Sequence, residues 1–312
     1  MLELMLLILG LAGLWFGSKL VITGALSIVE HYKISQMFIG LTVLALGTDL
    51  PEVVVHITGA IHRLGGVETS GLIVGETIGT CFGQIGLALG IAGLSGILIM
   101  TKRQLKRDGL ALLGSVALIF LVGLDGHISR TEGIVLILIY LVYFLFLYRE
   151  EKVHEKIQRA PKKSIFWLDF FLLIVGFALL IYSSNLTVGN ALLISQRWGI
   201  TQSLVGILIV GVGTSLPELA TSLSAVKKGA GSLAVGNLIG SNIYDALFAL
   251  GIGSAISGFN VNKDLLRFDI PALFVFSLVV LVLFKRKMRL ERKEAFLLIG
   301  IYAVYYIVKI VA

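Results

Sequence analysis

Four pairs of oxygen-bearing side chains recur in this sequence four residues apart: Thr48 with Glu52, Thr214 with Glu218, Thr80 with Gln84, and Ser241 with Asp245. That spacing puts both members of each pair on one face of a helix. All eight stand in strongly apolar stretches, where a carboxylate is costly unless it has a partner or water. Several carboxylates together repel one another unless a cation neutralises them. An all-oxygen lining of this kind suits hard cations such as Ca²⁺ and Na⁺. Pro51 and Pro217 sharpen the point. Proline has no N–H, so the carbonyls of Gly47 and Gly213 lose their helical partners. In a membrane, freed carbonyls are tolerated where they line a polar cavity or bind an ion. Each GT-x-LPE segment thus brings backbone oxygen, hydroxyl and carboxylate together. For a single segment, a kinked helix whose acid pairs with a nearby lysine would compete. Two matching copies plus Asp245 argue against that.

The elements that position these residues are membrane spans. Hydrophobic residues make up 57% of 312 positions and charged residues 14%, where a soluble domain is nearer a quarter charged. Apolar stretches long enough to cross roughly 30 Å of hydrocarbon recur along the whole chain. The expectation is ten spans, at 2–29, 36–61, 69–97, 108–125, 131–148, 164–195, 201–226, 231–257, 267–284 and 294–311. The first lacks a positive n-region and is too long for a secretory signal. The most polar piece, 149–163, reads as a linker, so the expected units are 1–148, the linker and 164–312. A lone cysteine, Cys81, excludes an internal disulfide.

Net charge of +7 would suggest nucleic acid in a soluble protein. Its placement says otherwise. If the spans alternate, one set of loops holds Arg63, Arg130, Arg197, Lys263 and Arg267, and the opposite set holds 19 basic residues. The positive-inside rule makes the basic side cytoplasmic and places both termini outside. The implied setting is a cell membrane, with lipid as a partner, no nucleic acid and no obligatory protein partner. No Walker loop or dinucleotide fingerprint is present, so ATP has no support. Gly75, Gly79, Gly236 and Gly240 are expected to let helices pack closely.

The chain repeats itself. GLTVLALGTDLPE (40–52) matches GILIVGVGTSLPE (206–218) at an offset of 166, and the offset reaches back to Ser18 and Ser184. After a length difference of five residues, VGETIGTCFGQIGLALGI (74–91) matches VGNLIGSNIYDALFALGI (235–252). Five spans separate each element from its copy, and an odd separation forces the copies into opposite orientations. The expected fold is therefore an all-α polytopic membrane protein of two inverted five-helix repeats, with broken helices at the ion site. Inverted repeats around a midplane site are characteristic of secondary transporters.

At these residues the sequence resembles the calcium/cation antiporter superfamily, whose type member is the sodium/calcium exchanger. GTSLPE (213–218) and GNLIGSNIYD (236–245) carry the likeness most closely. The resemblance covers essentially the whole chain and implies Ca²⁺ exchange against Na⁺ or H⁺ by alternating access, with no covalent chemistry and no cofactor. It implies ion binding by Glu52, Thr48, Glu218, Thr214 and Ser215, by Ser241, Asp245, Thr80 and Gln84, and by the backbone carbonyls of Ala45 and Gly211.

The first repeat departs from that pattern. Asp49 stands where Ser215 stands in the second copy, Glu76 matches Asn237, and Cys81 matches Asn242. Glu76, Thr80 and Gln84 share one face, so Glu76 joins the candidate ligands, and so does Asp49. Either an added acid carries a proton, making H⁺ the coupling ion, or Lys19 pairs with Asp49 or Glu76. Snorkelling of Lys19 to the interface is the alternative. His56, one turn beyond Glu52, reads as a polar residue satisfied by packing rather than a pH sensor. Trp167 and Trp198 read as interfacial anchors. A channel is the rival transport class. The rival of another class is an intramembrane aspartyl protease, suggested by Tyr244-Asp245. Its usual GxGD partner is only approximated, by Val122-Gly123-Leu124-Asp125.

Overall fold

The computed structural model describes residues 1–31, 45–151 and 166–311. The start of the second expected span and most of the expected linker lie outside them. Helix α1 spans Leu2–His31, and α2 is broken into Ala45–Thr48 and Leu50–Leu64. Helix α3 spans Ser70–Ser95, α4 Lys102–Val122 and α5 Arg130–Glu151. Helix α6 spans Phe166–Trp198, α7 is broken into Gln202–Thr214 and Leu216–Lys227, and α8 spans Gly231–Ser257. Helices α9 (Leu265–Lys287) and α10 (Arg292–Val311) complete the order. Two short antiparallel pairings tie connecting segments together. Strand β1 (Leu98–Ile99) pairs with β4 (Arg289–Leu290), and β2 (His127–Ile128) with β3 (Phe259–Asn260).

Among the described residues, seven helices are long and apolar enough to cross a membrane, or eight if the two pieces of α7 count as one span bent by 40°. The expectation of ten is not reached by this measure for two reasons. The second span begins outside the described residues. Helix α4 opens on Lys102, Arg103, Lys106, Arg107 and Asp108, which dilute its apolar stretch. Its first turn is held by Thr101, which accepts from the Gln104 backbone N–H (3.1 Å) while Gln104 Oε1 accepts from Thr101 N–H (2.9 Å).

The breaks in α2 and α7 follow from proline. Asp49 and Ser215 each end one helical piece, and Pro51 and Pro217 sit in the first turn of the next, a position that suits proline because first-turn N–H groups have no partner within their own helix. Burial sorts the helices into layers. In the most apolar stretches of α3 and α8, 83% and 72% of residues are buried, against 17% in α5. Helices α3 and α8 therefore form the centre. Val142, Phe171, Ile181 and many other large apolar side chains stay exposed around it, as lipid contact requires.

Glycines set helix directions. Gly10 faces Thr187, Gly17 faces Leu180 and Gly24 faces Asp169, so α1 and α6 lie antiparallel at close range. Gly59 of α2 meets Ile73 of α3, and His56 bonds Thr77, again antiparallel. Gly75 and Gly79 of α3 meet Ser203 and Ile207 of α7, which makes α3 and α7 parallel. The two GT-x-LPE segments consequently run in opposite senses. Packing around them is uneven. Ser184 Oγ of α6 lies 3.0 Å from the Val54 carbonyl and 2.7 Å from Thr58 Oγ1, and Thr58 is buried. In the matching positions Ser18 turns to the Trp15 carbonyl of its own helix (3.2 Å), and Ser224 is exposed.

Candidate functional site

The close approach of α3 and α7 builds one wall of the site. A methyl group on Gly75 would stand 2.6 Å from the Ser203 carbonyl oxygen, and one on Gly211 2.6 Å from the Thr80 nitrogen, so only glycine permits this contact. The packing expected of Gly75 and Gly79 is thus found. Around Gly236 and Gly240, no described residue lies within 4 Å of where a side chain would begin.

This contact brings Thr80 and Thr214 together across the two halves of the chain. Their hydroxyls lie 3.2 Å apart, and Thr214 Oγ1 is 3.1 Å from Glu76 Oε1. The Gly211 carbonyl oxygen faces the same cluster, 2.7 Å from Ser215 Oγ and 3.2 Å from Thr80 Oγ1. A second cross-link joins α3 to α8. Gln84 Nε2 donates to Asp245 Oδ2 (2.8 Å), and Asn242 Nδ2 donates to Gln84 Oε1 (2.8 Å) and to the Cys81 carbonyl (3.0 Å). Both Gln84 and Asp245 sit in π-helical turns, Gly83–Ala88 and Asp245–Ala249, a local widening common at functional sites.

Thr48, Asp49, Glu52, Glu76, Thr80, Gln84, Thr214, Ser215, Glu218, Ser241 and Asp245 are all buried, and Gly211 lies with them. Ala45 opens the described part of α2. Glu52 lies within electrostatic range of Glu218, Asp245, Asp49 and Glu76. Seven carboxylate oxygens are buried without a hydrogen-bond partner: Asp49 Oδ1, both of Glu52, Glu76 Oε2, both of Glu218, and Asp245 Oδ1. Orphaned charge at that depth is strongly unfavourable unless a counter-charge joins it. Among the described residues no three acidic, histidine or cysteine side chains converge on a single metal position. Any one ion therefore needs hydroxyl, amide and carbonyl oxygens alongside its carboxylates, the mixture that Ca²⁺ and alkali cations accept.

Lys19 does not pair with the acids. It is exposed, and its ammonium lies 3.9 Å from the centre of the Trp15 ring. A cation on an outward face is satisfied by that ring and by the interface, without entering the core. His56 is fully buried. Its Nδ1 donates to the Glu52 carbonyl (2.7 Å), and its Nε2 lies 2.8 Å from Thr77 Oγ1 and 3.6 Å from Glu76 Oε2. It thereby cross-links α2 to α3 as a satisfied polar residue. The cross-linking role of Asn242 and Thr77 escaped the sequence reading. Their only signal was a polar side chain in an otherwise apolar helix. Trp167 and Trp198 are both exposed at the ends of α6.

The sodium/calcium exchanger protein family model matches residues 2–149 and 168–311. This chain belongs to that family. It is 31% identical over 299 residues to an uncharacterised membrane protein of Methanocaldococcus jannaschii, covering 95% of this chain and 94% of that one. It is 28% identical to the sodium/calcium exchanger MaX1 of Methanosarcina acetivorans, covering 97% of both. Among solved structures it resembles the sodium-calcium exchanger NCX_Mj, with a TM-score of 0.66 and 30% identity over 97% of both chains. The family and its structural neighbours are membrane transporters, not enzymes, so the aspartyl-protease reading falls. The polar residues described above belong to a carrier in which the moved ions are themselves the ligands.

Proposed function

We propose that this protein exchanges Ca²⁺ against Na⁺ across a cell membrane by alternating access. The observation that carries the reading is the set of partnerless, buried carboxylate oxygens contributed by both GT-x-LPE segments and by Asp245. Glu52 and Glu218 are the central ion ligands, supported by Thr48, Thr214, Thr80, Ser241, Ser215, Gln84 and the Ala45 and Gly211 carbonyls. The halves 1–148 and 164–312 act as inverted repeats joined by 149–163. The opposed directions of the two GT-x-LPE segments support this division. Both termini face outward and the basic loops face the cytoplasm. The name of the similar MaX1 protein supports Na⁺ as the counter-ion.

In proteoliposomes, Ca²⁺ uptake is expected to require an opposing Na⁺ gradient, and Glu52→Gln or Glu218→Gln to abolish it nearly completely. Undiminished exchange by both variants would remove the proposed site. Uptake with no counter-gradient would indicate a channel. A second reading, H⁺ or another cation as the counter-ion, is favoured by the buried, partnerless oxygens of Asp49 and Glu76. Imposing Na⁺, K⁺ and H⁺ gradients one at a time separates the two.

A further inference from the structure

We propose that Glu76 and Asp49 each give one corner of the site a carboxylate of its own, so that the full site binds two more positive charges than Glu52, Glu218 and Asp245 require. This rests on the exchange reading above and adds to it the charge that the site holds.

The first corner lies between α3 and α7. Glu76 Oε1 is 3.1 Å from Thr214 Oγ1 and 3.4 Å from Thr80 Oγ1. Both hydroxyls and Ser215 Oγ crowd the Gly211 carbonyl oxygen, at 3.3, 3.2 and 2.7 Å. Three hydroxyl protons serve five oxygens there, which leaves lone pairs for a cation. The other oxygen of Glu76 has no hydrogen-bond partner, its neighbour His56 Nε2 standing 3.6 Å away with that ring's Nδ1 donating to the Glu52 carbonyl, and the residue is fully buried. The second corner lies between α2 and α8. Asp49 sits against Ser241 and Glu218, is buried, and leaves Oδ1 without a partner.

Comparison of the two copies shows why these acids belong together. Asn237 holds the position matching Glu76, and Ser215 the position matching Asp49. The Asn237 amide is engaged elsewhere, donating to Ser222 Oγ at 3.2 Å. The added acids are therefore crossed. The first corner has its acid on α3 and a serine on α7, and the second has its acid on α2 and an asparagine on α8. Each corner ends with one added carboxylate. A crossed pattern equalises charge between two corners that a substitution in one alone would leave unequal. Buried carboxylates in such number are tolerable only when opposite charge accompanies them.

The test counts ions on purified full-length protein, with elemental analysis after equilibration in saturating Na⁺ or Ca²⁺. Glu76→Asn and Asp49→Ser copy the residues of the matching positions, and Glu76→Gln provides an isosteric second variant. Thermal unfolding checks that each remains folded. In saturating Na⁺ each single variant is expected to lose one bound ion, or to bind it at least about tenfold more weakly, and the double variant to lose two; in saturating Ca²⁺ the double variant is expected to lose one. The same number of metal ions at the same affinity in all variants overturns the proposal, including the case in which protons occupy both acids. If the unaltered protein binds neither Na⁺ nor Ca²⁺, the exchange reading itself fails. If it binds and exchanges them but the variants do not differ, only this inference fails.

Discussion

Alanine at Gly79 measures how closely the two halves must approach for the site to exist. A methyl group there would stand 2.5 Å from Ile207 Cα and 2.8 Å from the Ile207 carbonyl carbon, where packed carbons prefer about 3.5–4.0 Å. The obstacle is backbone and cannot rotate away, so α3 and α7 must part by about 1 Å. The gap opens beside Thr80, whose hydroxyl lies 3.2 Å from both Thr214 Oγ1 and the Gly211 carbonyl oxygen. A shift of that size carries both contacts beyond hydrogen-bond range. Two lost hydrogen bonds cost about 2 kcal/mol, and displaced ligand oxygens lower cation affinity by about ten- to a hundredfold. The assay is thermal unfolding in detergent against rising Ca²⁺. Gly79→Ala should require correspondingly more Ca²⁺ for the same stabilisation. Gly114→Ala, at a position in α4 with no described residue within 4 Å, should titrate like the unaltered protein. An unchanged Ca²⁺ titration in Gly79→Ala would refute the claim that this helix contact sets the site.

Two further predictions concern charges away from the site. Asp269 is fully buried, with Lys309 Nζ at 2.7 Å and Tyr305 donating at 2.8 Å. Lys309→Met should cost about 3–5 kcal/mol by stranding the acid, whereas Asp269→Leu with Lys309→Met should recover most of the unfolding temperature; equal losses in the two would contradict the pairing. Lys19→Gln should leave ion flux in proteoliposomes unchanged and lower stability by no more than about 1 kcal/mol, because its ammonium partners Trp15 outside the core; abolished flux would return it to the site.

Much of the site was legible because its chemistry is periodic. The i, i+4 pairs and the repeated GT-x-LPE segments named the helices and the faces on which these buried polar side chains lie. Prolines 51 and 217 located the two breaks to within a residue or two. What the sequence concealed depends on which way a side chain leaves a helix. Lys19 sits in an apolar stretch, and nothing in its neighbours tells an inward lysine from one lying over Trp15 on the outer face. Asn242 and Thr77 bond across helices whose mutual register no local pattern encodes. The π-helical turns at Gly83–Ala88 and Asp245–Ala249 arise from packing and leave no compositional mark. The apolar part of α4 is legible in the sequence, whereas the start of its helix at Lys102, six residues before the apolar stretch, is set by the Thr101–Gln104 cap.

The unequal docking of α6 and α1 has a consequence for how the two copies respond to change. Ser184 grips Leu50–Leu64, while Ser18 stays folded back on its own helix and Ser224 faces outward. Like sequences here hold unlike neighbours, so the same substitution should act differently in the two copies. Removing the Ser184 hydroxyl takes away a bond between α6 and α2, whereas removing that of Ser18 takes away only a bond within α1.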